Sequence, residues 1–200
     1  MTQEQLLAAS LFAAVSSITP GPNNTLMLAS GVNFGVKRSL PHLAGITLGV
    51  GAMLLLLGLG LNALLSLFPA LLQVLRFAGV TYLLWLAFAL ARATPAALGS
   101  ASTLQPMGFW AAVAFQWVNP KAWVMATTAL TAYLPAHAGW TQLALLSGLF
   151  MLINAPCVGV WLTCGNAMRA WLQDPRRRRA FNLTMAVALL LSLYPLLRRE

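Results

Sequence analysis

The chain has 200 residues, of which 60% are hydrophobic and only 8% are charged, and its formal net charge is +9. Soluble proteins carry about 25% charged residues, so this composition excludes most soluble folds. A membrane-spanning helix needs roughly 20 apolar residues, so six spans would use about 120 positions and leave only short connections. The Lys and Arg residues lie mostly between apolar runs, and nucleic-acid binding is therefore not expected.

Six apolar stretches follow one another, at residues 5–31, 40–68, 71–91, 109–134, 142–168 and 181–197. Their hydropathy predicts an all-α integral membrane protein with six transmembrane helices in a single domain, residues 1–200. The predicted connections are residues 33–39, Pro69, and residues 92–106, 135–140 and 169–180. No basic residue precedes the first stretch, so we expect it to be retained rather than cleaved as a signal peptide.

Basic residues are concentrated in three alternate connections. They are Lys37, Arg38, Arg92, Arg169 and the four arginines at 176–179. Because basic loops stay in the cytoplasm, this side is predicted to be cytoplasmic, and six complete spans would put both termini outside. If the first stretch is re-entrant instead, the amino terminus moves inside. The arginine run is expected to be a topology anchor attracted to anionic lipid.

The first stretch contains an interruption made of prolines, a glycine and asparagines. It consists of Thr19, Pro20, Gly21, Pro22, Asn23 and Asn24. Prolines remove backbone donors and glycine relaxes the chain, so the helix should break inside the membrane. Unwound backbone at that depth lines a cavity or is buried in protein, and the start of a half-helix attracts anions. The pattern predicts a binding site, with a simple proline kink as the structural alternative.

The fourth stretch has a second polar cluster, formed by Gln116, Asn119, Pro120 and Lys121. Lys121 lies about twelve residues from either end of its apolar stretch, too deep to reach a membrane surface easily. A cation at the bilayer centre costs on the order of 3 kcal/mol and usually marks a substrate or ion path. Since the few acidic residues fall near predicted membrane edges, we expect the counter-ion to be the ligand.

The two interruptions correspond to each other. Aligning Pro22 with Pro120 also places Met27 over Met125, so the first and fourth helices resemble weak copies. Each would open a three-helix half, at about residues 1–98 and 99–200. Halves with an odd number of spans insert in opposite senses, which predicts two inverted repeats with broken first and fourth helices.

Neither cysteine nor histidine chemistry is indicated. Cys157 and Cys164 lie seven residues apart in one apolar run, and two such α-carbons on a helix are about 10.5 Å apart, too far for a disulfide. His42 and His137 are isolated from each other and from carboxylates, so a metal site fails on ligand count. No metal or cofactor is expected.

Several of these motifs together resemble the lysine exporter superfamily, the LysE/RhtB amino-acid exporters. They are the cluster at residues 19–24, the glycines that follow it, Gly79 with Tyr82-Leu-Leu84, and Asn119-Pro-Lys121. The resemblance implies multi-pass insertion in the bacterial inner membrane and proton-driven efflux of amino acids or close relatives. Lysine and arginine exporters of the family tend to carry an acidic residue in the second span, whereas residues 45–51 here have none.

We therefore expect a secondary transporter, not an enzyme, that exports small neutral amino acids or similar zwitterions. Lys121 and the start of the half-helix at residues 22–24 would receive the carboxylate, while Gln116, Asn119 and carbonyls near Thr19 would receive the ammonium. The halves would rock against each other, with protons as the coupling ion. Membrane lipid and a homodimer partner are further expected contacts.

Two alternatives come from other branches of the same superfamily. A divalent metal-ion exporter would need a cluster of carboxylates, thiolates or imidazoles inside the bundle. A thiol-relay membrane protein would need two cysteines able to exchange disulfides. The chain supplies neither pattern.

Overall fold

The structure, a computed structural model, describes residues 1–61, 69–92, 105–135 and 138–193. Over these ranges the chain is all-α, with seven α-helices and no strand. The helices are α1 Gln3–Ile18, α2 Pro22–Leu56, α3 Pro69–Arg92, α4 Phe109–Gln116, α5 Pro120–Tyr133, α6 Trp140–Met168 and α7 Pro175–Leu191. A π-helical turn, Leu57–Leu61, extends α2, and a 3₁₀ turn, Trp171–Gln173, precedes α7.

Three segments are long and apolar enough to cross a membrane: Pro22–Leu61, Gln73–Arg92 and Trp140–Met168. This agrees with the membrane protein that the composition predicts. The other helices are shorter, with 16 residues in α1 and 17 in α7. The described helices therefore establish an all-α membrane fold without by themselves defining six equal spans.

The first predicted connection, residues 33–39, contains the observed break in the chain but is longer than it, because the two helical parts of α2 meet at Gly35. Only Gly35 leaves helical geometry, with φ 77° and ψ 175°, a conformation that glycine adopts without strain. The hydroxyl oxygens of Ser30 and Ser39 are 2.7 Å apart. Nine residues of straight helix would separate them by about 13.5 Å, so α2 folds back on itself at Gly35. Ser39 is consequently buried rather than exposed.

The fifth predicted connection is also too long, because α7 begins at Pro175 rather than near residue 181. The Asp174 carboxylate accepts hydrogen bonds from the backbone N–H of Arg176 at 2.8 Å and of Arg177 at 3.0 Å. An aspartate at the N-cap and a proline at the first helical position are a strong helix start. The arginine run therefore lies in the first turns of α7.

Some predictions fall on residues outside the described ranges. The second predicted stretch reaches residue 68, and its last part, residues 62–68, lies outside the described ranges. Most of the third connection, His137 and the end of the sixth stretch also lie outside them.

Glycines allow the helices that surround the site to approach closely. A Cβ added to Gly31 in α2 would collide with the carbonyl oxygen of Leu162 in α6, and one added to Gly165 in α6 with that of Leu28 in α2. Gly45 meets the start of α4 in the same way. Such small residues are the usual means of close helix packing in membranes, and here they fix α2 against α6 and α4.

The largest apolar cluster brings α1, α2, α5 and α6 together. It contains fully buried side chains from each helix, among them Ala13, Met53, Ala126 and Phe150. Because α1 ends at the first interruption and α5 begins at the second, this packing holds the two interruptions close to each other.

Candidate functional site

Both predicted interruptions are present as breaks between helices. The chain becomes extended at Thr19, with φ −65° and ψ 148°, and α2 then starts at Pro22 with Gly21 as its N-cap. In the second break, α5 starts at Pro120, and the Asn119 side chain caps it by accepting from the backbone N–H of Lys121 at 3.1 Å. Each half-helix thus begins with proline, whose missing N–H needs no partner at that position.

A reciprocal pair of side-chain amides joins the two breaks. Asn23 donates through Nδ2 to Oε1 of Gln116 at 2.9 Å, and Gln116 donates through Nε2 to Oδ1 of Asn23 at 3.2 Å. The same Nε2 donates to the Ala112 carbonyl at 2.9 Å, and Gln116 is fully buried. Two motifs that are 93 residues apart in the chain are therefore in direct contact.

Lys121 reaches across to the end of α1. Its ammonium donates to the carbonyl oxygen of Thr19 at 2.6 Å, to the Thr19 hydroxyl at 2.9 Å and to the Pro20 carbonyl at 3.2 Å. These acceptors match the three donors of an ammonium, and the end of a helix carries partial negative charge. The sequence analysis did not predict these neutral acceptors, and its expectation that the counter-ion of Lys121 is the ligand stays a prediction.

Gly21 makes room for this lysine. A Cβ at Gly21 would lie 2.6 Å from Cδ of Lys121 and 3.3 Å from its Nζ. Any larger residue at this N-cap would displace the lysine stem from the break. The glycine predicted to relax the chain thus also creates the space that Lys121 fills.

Asn24 stabilises the break. Its Nδ2 donates to the carbonyl oxygens of Ser17 at 2.8 Å and Thr19 at 2.7 Å, and only 3% of the residue is exposed. Trp161 of α6 donates through Nε1 to the Ile18 carbonyl at 2.9 Å. The last carbonyls of a helix have no hydrogen-bond donor within the helix, and here side chains supply the donors.

Asn154 is a site residue that the sequence analysis missed. It lies in α6, only 3% exposed, and donates through Nδ2 to the Ser17 hydroxyl at 3.1 Å. Thr47 of α2 approaches Oδ1 of Asn154 at 3.5 Å. An asparagine inside an otherwise apolar span was the available signal, because polar side chains there bond neighbouring helices.

These groups surround a small cavity of about 20 Å³. Its polar lining comprises Ser16, Ser17, Asn23, Asn24, Asn119, Lys121 and Asn154. That volume holds about one water molecule and is far too small for an amino acid.

The described residues offer no group of three or more His, Cys, Asp or Glu side chains that could hold a metal ion. Cys157 is partly buried and Cys164 is exposed, both are free thiols, and both lie on α6. Neither lines the cavity.

The breaks, the buried amide pair and the lysine among helix-end carbonyls lie inside an apolar helical bundle, and transporters form polar sites of this type from discontinuous helices. The chain belongs to the LysE type translocator family, whose model matches residues 14–194. The family resemblance seen in the motifs is thereby confirmed, and the protein is a transporter with efflux proteins among its relatives.

Three relatives share nearly the whole length, and each is a cysteine/O-acetylserine efflux protein. The chain is 33% identical to the Klebsiella pneumoniae protein over 167 residues, which cover 83% of this chain and 84% of the relative. It is 33% identical to the Salmonella typhimurium protein and 31% identical to that of Escherichia coli K12, each over 193 residues, 96% of this chain and 95% of the relative. No solved structure matches the chain.

Proposed function

We propose that this protein is a secondary exporter of small neutral amino acids across the bacterial inner membrane, driven by the proton gradient. Its membership of a translocator family and its likeness to cysteine/O-acetylserine efflux proteins support this function. The observation that carries the proposal is the contact of Lys121 with the helix-end carbonyls of Thr19 and Pro20. The carboxylate of a zwitterion can bind the ammonium of Lys121, and its own ammonium can bind the carbonyl oxygens of Thr19 and Pro20.

The proposed architecture has six spans in two inverted three-helix repeats. The fold-back of α2 at Gly35 divides it into the end of the first span and the whole of the second. The first span would then be α1 with the start of α2, and the fourth α4 with α5; α3, α6 and α7 would be the others. The matching breaks at Pro22 and Pro120 support this pairing, since corresponding broken helices mark the site in inverted-repeat transporters.

The mechanism starts with an exchange of partners at Lys121. All three donors of its ammonium are engaged, so a substrate carboxylate must replace Thr19 and Pro20. A hydrogen bond between two charged groups is roughly twice as strong as one between neutral groups, which favours the exchange. The carbonyls released in this way are then available to the substrate ammonium, with Gln116 and Asn119 beside them.

This exchange would also couple binding to movement. The lysine contact ties the end of α1 to the start of α5, and the cavity between them is too small for an amino acid. Releasing that tie loosens the two breaks together, which is what alternating access to a central site requires. Protons are the proposed coupling ion.

Selectivity for neutral side chains follows from the charges near the cavity. No described Asp or Glu side chain lines it, and Lys121 itself is positive. A lysine or arginine substrate would bring an unpaired cation into a site of low dielectric, at a cost of several kcal/mol.

Binding measurements on the purified protein test this function. We expect cysteine and O-acetylserine to raise the thermal unfolding midpoint, whereas lysine and the methyl ester of cysteine do not. The ester isolates the carboxylate, because it keeps the ammonium and the side chain. Equal binding of the ester, or stronger binding of lysine, would refute the proposed site.

Thiol labelling tests the topology. Cysteine introduced at exposed Lys37 should react only from the cytoplasm, and cysteine at Gly139 only from outside. Gly139 suits the purpose because a Cβ there meets nothing within 4 Å. The opposite pattern would overturn the six-span arrangement, whatever the substrate.

A further inference from the structure

The four arginines at the start of α7 are not equivalent. Arg176, Arg177 and Arg179 are exposed, whereas Arg178 is partly buried. Arg178 precedes Phe181 and Asn182 by three and four residues, and both of these are buried. Residues at those spacings share one helix face, so Arg178 lies on the face of α7 that packs into the protein.

Arg178 has a donor that the protein does not satisfy. Its Nε is buried and finds no hydrogen-bond partner within the described parts of the chain. The nearby Asp174 carboxylate is engaged by the backbone N–H groups of Arg176 and Arg177. Leaving a buried donor unpaired is costly, more so for a charged group, and native proteins rarely do it without a reason.

A second arginine lies close by. Leu172, in the turn after α6, belongs to one buried cluster with Phe181 of α7, so Arg169, the C-cap of α6, lies near the start of α7. Its Nη1 lies 3.1 Å from where a Cβ on Gly35 would be, so it extends over the fold-back of α2. Neither arginine forms an ion pair with any residue that the structure describes. Two cations are thus held at one end of the bundle, and neither has an ion-pair partner among the described residues.

We propose that Arg178 and Arg169 bind a phosphate group, that of an anionic phospholipid. Guanidinium groups match phosphate oxygens through paired N–H donors, and the buried Nε of Arg178 would supply one of them. The site lies on the side of the protein where basic residues collect, which faces the anionic cytoplasmic leaflet. The proposed site is specific to these two residues, whereas the arginine run as a whole is expected only to attract anionic lipid without a defined binding position.

The test compares variants that remove the same charge from different faces of α7. The thermal unfolding midpoint of the purified protein is measured in detergent while phosphatidylglycerol is added, with phosphatidylcholine as the uncharged reference. The variants are Arg178→Gln, Arg169→Gln and, as the matched exposed control, Arg179→Gln. A parallel titration uses inorganic phosphate.

We expect phosphatidylglycerol to stabilise the wild type and the Arg179 variant alike. The apparent affinity should fall by more than about tenfold in the Arg178 and Arg169 variants. Equal loss in the Arg178 and Arg179 variants would overturn the site in favour of diffuse surface attraction. Stabilisation by inorganic phosphate as strong as by the lipid would overturn the lipid assignment.

A second pair of variants covers the case in which Arg178→Gln does not fold. Arg178→Lys and Arg179→Lys both keep the charge, but only the first removes the buried Nε donor. Weaker lipid binding in Arg178→Lys alone would support the site, and identical binding by the two would refute it. Because the substrate site is elsewhere, cysteine binding reports separately on the proposed function.

Discussion

Replacing Lys121 with methionine separates the structural role of this residue from its role in binding. Methionine keeps most of the apolar stem but removes the ammonium and its contacts to Thr19 and Pro20. Hydrogen bonds to a charged group contribute about 1.5–3 kcal/mol each at best. Against them stands the cost of a lysine inside a membrane helix, on the order of 3 kcal/mol.

These terms oppose each other, and the hydrogen bonds contribute well below their upper limit because Thr19 and Pro20 are themselves exposed and Thr19 keeps its hydrogen bond from Asn24. We therefore expect the free energy of unfolding to change by less than about 2 kcal/mol in either direction. Binding should change far more. Losing the contact between the ammonium and the substrate carboxylate should weaken affinity by more than about tenfold, or 1.4 kcal/mol.

The assay measures the thermal unfolding midpoint with and without cysteine, and cysteine uptake into inverted membrane vesicles. Thr131→Val is the matched control, because this residue lies on α5 as well and its hydroxyl bonds only within the helix. A Lys121→Met protein that folds normally and binds cysteine with unchanged affinity would refute the reasoning. The carboxylate site would then have to rest on Asn23 and the start of α2.

Four further substitutions test the packing and the ionisable groups. Gly31→Ala should destabilise the protein by about 1–3 kcal/mol, because the added Cβ collides with backbone atoms. Gly148→Ala is the control: it has open space around it and should leave the stability unchanged or raise it by up to about 1 kcal/mol. Thermal unfolding measures both effects. His42→Leu should raise the unfolding midpoint, because both ring nitrogens are buried without a hydrogen-bond partner in the described chain. Leaving such groups unpaired costs the wild type about 1–3 kcal/mol, which leucine avoids. A lower midpoint would contradict this prediction. The backbone N–H groups of residues 177 and 176 lower the pKa of Asp174, so its stabilising effect is present at neutral pH and disappears as the pH falls through that lowered pKa. Asp174→Asn keeps the cap without the charge, so its unfolding midpoint should depend less on acid pH than that of the wild type, and equal dependence would count against this origin.

The sequence predicted the breaks because proline and glycine act locally. Pro22 and Pro120 disfavour helical geometry in the residues before them, and this effect does not depend on tertiary contacts. The hydrogen-bond partners of Lys121 could not be predicted from the sequence, because they depend on the packing of α1 against α5. The break at Gly35 falls within the connection predicted at residues 33–39, but the residues on both sides of it are helical, which their polar composition did not indicate.

The start of α7 could have been predicted better. Asp174 followed by proline is a recognised helix start, but the arginine run after it looked like a connection. The sequence shows that Asn154 is a polar residue in an apolar span, but it does not show which residue it contacts. Its contact with Ser17 depends on the packing of α6 against α1.

The reciprocal glycine contacts between α2 and α6 determine which parts of the protein can move separately. Gly31 lies against the backbone of α6, and Gly165 against the backbone of α2. A close-packed backbone contact of this type behaves as one rigid body, because it cannot stretch without losing its packing. Since α2 comes from the first half of the chain and α6 from the second, this contact joins the two halves directly, and the proposed rocking of the halves would have to open it.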